Sequence, residues 1–588
     1  MSSKEILCRS GRPKIYYLQE EENGLFLHTV TREAPAERIF SCYVVDSPEE
    51  DGKTSSWRVS SAAVFCAKVG EAASCRGGQS YGAALLLTGD EELRIDAYEN
   101  VPHCNILGET MCLDIPNGAE FEEAVFQFYW RTLIPSVIER TKAAAYPVRD
   151  GYVLSTLQEE VYAGTYPDVD HEFQIKGRIG MMGRFDLDVV RRMLELQLKL
   201  MREDPEHKWR NPCSLQPGGE REYEVRRSSM DGAANAEMFL LTGNIEIVTS
   251  VWLYLAASKD WDWLKQHKEE LEQVLSLVED SMDGQGRLWS DVYYEDQVIK
   301  DGSVCAAAAF AAQAMKVMAD LERIAGDREK ERKYRGLSET LAQTLVREFP
   351  AGFWDGTNER FLDWIDRTGT GHDHIHLLAN ELPLLFGFAA PEQQAAVERL
   401  IEENLGEFQR FPSFVAARIQ DYTQSEIGDG GPYDLCAAGR YWCWDFAYWA
   451  WKKQPRILEE QLLKVCRQAK LDDYLMGERY DMNHVYYVGG KNWHGAERYY
   501  EYPCVFLWNL LHVYLGVRPD MECDLRLEPA LRKNGRVRLD GENQKVEYTI
   551  QDGQLSVRNL ADRARTFAVC WKDVEQVLRL APGETAAV

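Results

Sequence analysis

From about Lys14 to Trp130 the chain runs in short apolar stretches broken by Gly, Asp, Asn and Pro, as in Ala83-Ala84-Leu85-Leu86-Leu87, then Thr88-Gly89-Asp90, then Leu93-Arg94-Ile95. Runs of this length between turn residues read as strands, so residues 1–120 are expected to form an N-terminal β-sandwich. Around Phe121 to Thr141 the spacing becomes helical, with Phe126, Trp130, Leu133, Ile134, Val137 and Ile138 on one side. This predicts a linker helix over 121–146.

The centre, 147–516, repeats a period of 3.6: Val189, Met193, Leu196 and Leu200, then Met238, Leu241, Ile245, Val248 and Trp252, then Leu264, Leu271, Val274, Leu275 and Val278. Paired antiparallel helices are the simplest packing for such stripes. Loops rich in Gly, Asp and Trp separate them, for example Asp283-Gly284-Gln285-Gly286 and Gly352-Phe353-Trp354-Asp355-Gly356. After Gly516 alternation returns with Val537 and Leu539, Val546, Tyr548 and Ile550, a turn at Asp552-Gly553, and Leu555 with Val557. Residues 517–588 are therefore expected as a small antiparallel β domain, and the chain as a whole as mainly α with β units at both ends.

At 588 residues the chain is too long for one core, and 45% hydrophobic with 28% charged residues is an ordinary globular balance. A formal charge of -28 argues against a phosphate-backbone ligand, because nucleic-acid binding relies on clustered Lys and Arg. The 14 cysteines have no CxxC pair or regular spacing, which fits reduced thiols in a cytosolic protein. The stretch Met1-Ser2-Ser3-Lys4-Glu5 opens no apolar secretory region, and no apolar run reaches the roughly 18 residues of a membrane span. A cytoplasmic location without membrane partner is the expectation; oligomeric state is open.

The richest candidate chemistry lies in Asn492-Trp493-His494-Gly495-Ala496-Glu497-Arg498-Tyr499-Tyr500-Glu501-Tyr502, which combines carboxylates, aromatics, a histidine and an arginine. Aromatic faces cover the C–H patches of a sugar ring, charged and amide groups hold its hydroxyls, and two carboxylates can protonate a glycosidic oxygen and activate water. Similar clusters recur at Trp289-Ser290-Asp291-Val292-Tyr293-Tyr294-Glu295-Asp296, at Asp363-Trp364-Ile365-Asp366 and at Arg440-Tyr441-Trp442-Cys443-Trp444-Asp445. Carbohydrate is thus the expected partner.

Within the second cluster Asp291 leads as a proton donor because Trp289 and Tyr294 flank it, with Glu295 and Asp296 as hydroxyl ligands or helix-dipole charges. Glu497 and Glu501 are four apart, so a helix would place both on one face and poise one as a base, with Arg498 relieving the repulsion; a solvated charge pair is the plainer reading. Arg227 suits a sugar hydroxyl or carboxylate, and Asp231 a helix N-cap or a ligand. Trp364, Asp366, Tyr433, Trp444, Asp445, Trp493 and His494 complete the substrate-binding candidates. Asp168, Asp170, His171 and Glu172 read as a solvated acidic loop, and Trp252, Trp449 and Trp451 as core. His372, His374 and His376 would share a side in an extended segment, which leaves metal binding, substrate hydrogen bonding by His374, and structural roles open; the run leads into a helical pattern in which residues two apart diverge. No metal and no cofactor is expected.

The order of these features resembles the six-hairpin glycosidase superfamily, in the flavour of α-L-rhamnosidase-like exo-acting enzymes. The resemblance is carried by Phe239-Leu240-Leu241-Thr242-Gly243-Asn244, by Gly286-Arg287-Leu288-Trp289-Ser290-Asp291 before a helix over about 302–324, and by Leu515-Gly516-Val517-Arg518-Pro519-Asp520 and Leu525-Arg526-Leu527-Glu528-Pro529. It implies an (α/α)6 barrel with a general acid in a mid-barrel loop and a general base in a late one, usually inverting the anomeric centre; Asp291 and Glu497 match those slots. The expectation is a glycoside hydrolase that removes a terminal sugar from an oligosaccharide or small glycoside. Its rivals are a sugar isomerase, epimerase or lyase on the same barrel, moving protons with the histidines of 372–376 and Arg440, and a non-catalytic carbohydrate-binding protein.

Overall fold

In a computed structural model, the described residues are 111–133, 136, 153–157, 171–216, 219–223, 225–226, 237–238, 241–289, 295, 298–300, 302–427, 431–482, 493–541 and 543–588, with backbone strands before residue 111. Twelve longer helices lie among them: α1 Gly118–Phe128, α2 His171–Met181, α3 Arg184–Arg202, α4 Thr242–Ser258, α5 Trp261–Asp280, α6 Cys305–Ala325, α7 Arg328–Val346, α8 Leu377–Leu385, α9 Pro391–Phe408, α10 Gly439–Trp451, α11 Pro455–Leu471 and α12 Glu501–Trp508. Their contacts alternate. The even-numbered helices touch in sequence, α2 with α4, α4 with α6, α6 with α8, α8 with α10 and α10 with α12, and α12 returns to α2. The odd-numbered helices pack outside, α3 on α2 and α4, α5 on α4 and α6, α7 on α6, α9 on α8, α11 on α10 and α12, and α1 on α11 and α12.

The sequence explains which helix goes where. The outer α5 buries one stripe, Leu264, Leu271, Val274, Leu275 and Val278, as its period requires. The inner α4 buries residues all round, including Ile245, Ile247, Val248, Val251, Leu253, Tyr254 and Leu255. Helix α6 opens on Cys305 and four alanines, all buried, so small side chains sit where helices press together on several sides. Asp260 and Asp327 cap α5 and α7 by accepting from the backbone N–H groups of Trp263 and Lys330. Helix α4 begins at Thr242, later than the apolar stripe suggested, and Met238 lies in a two-residue strand pairing with Val225. Trp451, expected in the core, is 38% exposed at the end of α10. Among the described residues no helix is long and apolar enough to cross a membrane.

The C-terminal alternation is realised strand by strand. Gly535–Leu539, Val546–Gln551 and Gln554–Asn559 form an antiparallel meander whose apolar positions are buried, with Asp552 and Gly553 in left-handed conformation at the turn. The expected purely antiparallel unit is corrected at one pair, because Leu525–Leu527 runs parallel to Arg565–Trp571. Glu109–Asp114 pairs antiparallel with Gly535–Leu539, so a strand from the N-terminal part continues the C-terminal sheet. At the junction Gly516 has φ +66, and a Cβ there would lie 2.2 Å from the carbonyl of Glu528. That close approach is why the Leu-Gly step precedes the β unit.

Candidate active site

The inner helices α2 and α12 run parallel. Gly177 abuts Cys504 and Gly180 abuts Leu507, so α2 and α12 advance together, and the first residues of α10 and α12 meet as Arg440 and Glu501. The segments leading into the inner helices interlock at this one end. Thr156 bridges Tyr499, His376 bridges Ala416, Phe414 bridges Ala437, and Gly302–Val304, Trp364–Asp366 and Gly371–His372 form one small sheet. Helix N-termini carry partial positive charge, which favours carboxylates around such a rim. Glu172, Glu295, Glu426 and Glu501 all lie here.

Around α12 an ion network fixes the rim. The Arg440 guanidinium holds Glu501 in a fork, with Nε 3.1 and 3.2 Å from its two oxygens and Nη2 at 2.9 Å, while the Arg440 backbone N–H also donates to Glu501. Arg479 pairs with Glu478 and lies 2.6 Å from Asp434, and the second Glu478 oxygen accepts from the Ala496 N–H at 2.8 Å. Gly495, at φ +80, has no room for a Cβ, which would sit 2.2 Å from Glu478. This corrects the shared helical face of Glu497 and Glu501. Arg498 has φ +50 and α12 starts only at Glu501, so Glu501 turns inward, fully buried, and Glu497 stays partly exposed on the preceding turn, its carbonyl accepting from Thr156 Oγ1 at 2.5 Å.

A second buried network lies on the α6 and α8 side. Lys300 Nζ is 2.8 Å from Asp363 and 3.2 Å from Glu295, His376 Nε2 meets the other Glu295 oxygen, and Tyr422 donates to Asp363 at 2.9 Å. Burial alone would lower the Lys300 ammonium, but the charges of Asp363 and Glu295 outweigh it and raise it. Burial would likewise raise the Asp363 carboxyl, and His376 and Lys300 hold it below its ordinary value. His376 Nδ1 also accepts from the Ala379 N–H and so caps α8.

The histidine run is extended up to this cap. His372 and His374 share a side, both facing one oxygen of Glu426 at 2.8 and 3.1 Å. The His372 ring stacks on Trp364, centroids 3.9 Å apart, and the His374 ring on Tyr422 at 3.7 Å. Burial opposes ionisation of Asp366, yet hydrogen bonds from Thr368, Thr370 and His372 hold its carboxyl at about 2.

The remaining expected site residues scatter. Trp364 is buried beneath the histidines. Trp444 points into the ring interior, its face under Lys176 Nζ at 3.9 Å and its ring tilted against Phe310 with centroids 4.8 Å apart. Asp445 is fully buried, with one oxygen accepting from Gln409, Gln461 and Ser413. Trp493 packs against Gly477, and Trp289 is partly buried with its backbone N–H on Ser281. His171 and Glu172, expected in a solvated loop, are buried at the start of α2, where Glu172 pairs with Lys176 at 2.6 Å. Asp291, Tyr294, Arg227, Asp231 and the side chains of Tyr433 and His494 lie outside the described residues. Sequence reasoning missed Lys300, Tyr422 and Glu426; each has a defining partner 52 to 63 residues distant in the chain, Asp363 for Lys300 and Tyr422 and His374 for Glu426, which local spacing does not mark.

No family model matches the chain, and no curated protein does. Among solved structures it is similar to a GH78 family rhamnosidase of Bacillus sp. GL1, at 12% identity and TM-score 0.48 over 92% of this chain and 51% of that one. It is also similar to an alpha-L-rhamnosidase from Dictyoglumus thermophilum, at 11% and 0.46 over 98% and 62%. A third is a metal-independent alpha mannosidase of Streptococcus pneumoniae, at 9% and 0.48 over 68% and 94%. The chain spans about half the length of the first of these. These neighbours have the six-hairpin glycosidase type of fold. At such identities and TM-scores the likeness carries no activity across to this chain.

Proposed function

We propose that this chain is a glycoside hydrolase that removes a terminal sugar from an oligosaccharide or small glycoside. The cycle of even-numbered helices inside odd-numbered ones supports an (α/α)6 toroid whose sixth outer helix is α1, so the toroid draws on the helix expected as a linker over 121–146 as well as on 147–516, between β units proposed over 1–120 and 517–588. Asp291 protonates the leaving oxygen and Glu497 takes the proton from water on the opposite ring face, which inverts the anomeric centre when the two carboxyls stand roughly 6.5–9.5 Å apart.

One observation carries this reading. Glu497 is a partly exposed carboxylate at the rim, and four residues on, Glu501 is locked by the Arg440 fork, so the turn bearing Glu497 is held from behind. The same spacing recurs at Asp291, four residues before Glu295, which His376 and Lys300 anchor. Glu295 and Glu501 thereby become positioning residues. The rival proton-transfer reading has less support, since Arg440 is occupied by Glu501 and His376 both caps α8 and meets Glu295.

The test is hydrolysis of a panel of nitrophenyl glycosides and natural disaccharides by wild type, Asp291→Asn and Glu497→Gln, with product anomers followed by NMR. Turnover with inversion, lost in both variants, is the expected result. Turnover that survives both substitutions removes the assignment, and an isomerised sugar in place of a hydrolysed one moves the chain to the proton-transfer class.

A further inference from the structure

We infer that His372, His374 and Glu426 form a binding site for one divalent zinc ion. Three observations meet there, none of which depends on the glycoside reading.

The first is convergence. In the extended segment before α8, residues two apart project to the same side, so the imidazoles at 372 and 374 are neighbours. His372 Nδ1 and His374 Nε2 face the same carboxylate oxygen, Glu426 Oε1, at 2.8 and 3.1 Å, and the donor atoms of all three residues lie within 4.8 Å of one another. Two imidazoles and a carboxylate, leaving a fourth position for water, are a donor set that zinc takes in preference to calcium or magnesium.

The second is that the outer atoms of His372 and Glu426 are already held. The far nitrogen of His372, Nε2, faces Asp366 Oδ2 at 3.4 Å, the carboxylate–imidazole arrangement that fixes a metal-binding ring. The other Asp366 oxygen accepts from the Thr368 N–H at 2.8 Å, the Thr370 N–H at 2.9 Å and the Thr368 hydroxyl at 2.7 Å. Glu426 is held in the same way, with Oε2 accepting from the Thr423 N–H at 2.6 Å and its hydroxyl at 2.9 Å, which leaves Oε1 to the histidines.

The third is orientation with access. Stacking on Trp364 and Tyr422, with ring planes 11° and 12° from parallel, sets both imidazole planes before any ion arrives. The side chains of His372, His374 and Glu426 keep 23%, 12% and 11% of their surface open, so an ion can enter from solvent. Bound there, it joins the segment before α8 to the turn at Gln424–Ile427.

The full chain, stripped with chelator, is titrated with zinc chloride by calorimetry and the metal counted by mass spectrometry. One zinc per chain is expected, lost in His374→Ala and Glu426→Gln at unchanged circular dichroism, and weakened about 10–100-fold in Asp366→Asn, which touches no ion directly. Cobalt(II) loaded into wild type is expected to give the visible absorption of a tetrahedral nitrogen and oxygen site, a readout that needs no variant to fold. Wild type without stoichiometric zinc, variants that bind as wild type does, or cobalt that gives only the spectrum of the hydrated ion would each overturn the site and leave a hydrogen-bonded histidine cluster.

Discussion

The Arg440 guanidinium grips Glu501 through three contacts of 2.9 to 3.2 Å and so ties the first turns of α10 and α12 together inside the protein. Glu501→Gln keeps the shape but removes the carboxylate that the Arg440 fork grips, leaving Glu478 at 3.8 Å as a more distant counter-charge, and we expect it to cost about 3 kcal/mol in denaturant unfolding. Glu497, four residues earlier and partly exposed, has the opposite profile. Glu497→Gln should stay within about 0.5 kcal/mol of wild-type stability while hydrolysis falls on the order of 100- to 10,000-fold. Equal stability losses in the two variants would mean that both glutamates are structural.

Glu381 on α8 and Asp445 on α10 form the second such pair, buried and of like charge. Neither Glu381 oxygen finds a donor among the described residues, and Asp445 leaves one oxygen without a partner, so only a retained proton lets the two carboxyls bond to each other. Burial, then Asp445, pushes the Glu381 carboxyl well above its ordinary 4.5. A folded-state value above the unfolded one gives stability that is complete below pH 4.5 and declines as pH rises, until the folded value is passed. The decline contributed by one such group is about 1.4 kcal/mol per pH unit. Glu381→Gln carries no proton to lose, and its unfolding free energy should fall less steeply with pH across that window. Parallel pH profiles for the two proteins would show that Glu381 ionises normally.

What could be read from the chain beforehand follows how local each determinant is. The meander from Val537 to Val557 was legible because alternation needs only neighbours a few residues apart, and the stripe of α5 was legible for the same reason. Which helices lie inside was carried by the all-round apolar sequence of α4 and the alanines of α6. Glu501 was misread because its partner Arg440 stands 61 residues upstream, and spacing within the turn could not reveal the fork. Lys300 looked unremarkable for a related cause: Glu295 is five residues upstream, but Asp363, its nearer carboxylate, stands 63 residues downstream and meets it only after folding. The histidine run was ambiguous at one residue: the helix begins at Leu377, just late enough for 372, 374 and 376 to remain extended.

Tyr422 joins the two networks of the α8 side, stacking on His374 and donating to Asp363 at 2.9 Å. Tyr422→Phe keeps the stacked ring and removes only the hydroxyl, leaving one oxygen of a buried carboxylate short of a donor. Loss of a hydrogen bond to a charged group predicts about 1.5–3 kcal/mol of destabilisation. Tyr422→Leu removes the ring as well and should lose more. If the two variants unfold at the same denaturant concentration, the hydroxyl contact contributes nothing to stability.

The pairing of Glu109–Asp114 with Gly535–Leu539 makes the C-terminal sheet depend on residues more than four hundred positions earlier. Leu113 lies opposite Val537 in that register, is buried, and its N–H donates to Glu122 at 2.5 Å, so the strand is held by the sheet on one side and by α1 on the other. Truncating a buried leucine removes its transfer energy and leaves a cavity, so Leu113→Ala should cost about 2–5 kcal/mol. The location of the effect discriminates more sharply than its size. Hydrogen exchange should quicken over Gly535–Leu539 and Val546–Gln551, strands that would otherwise meet only their C-terminal neighbours. Exchange that quickens only before residue 130 would mean that the C-terminal sheet stands without its N-terminal strand.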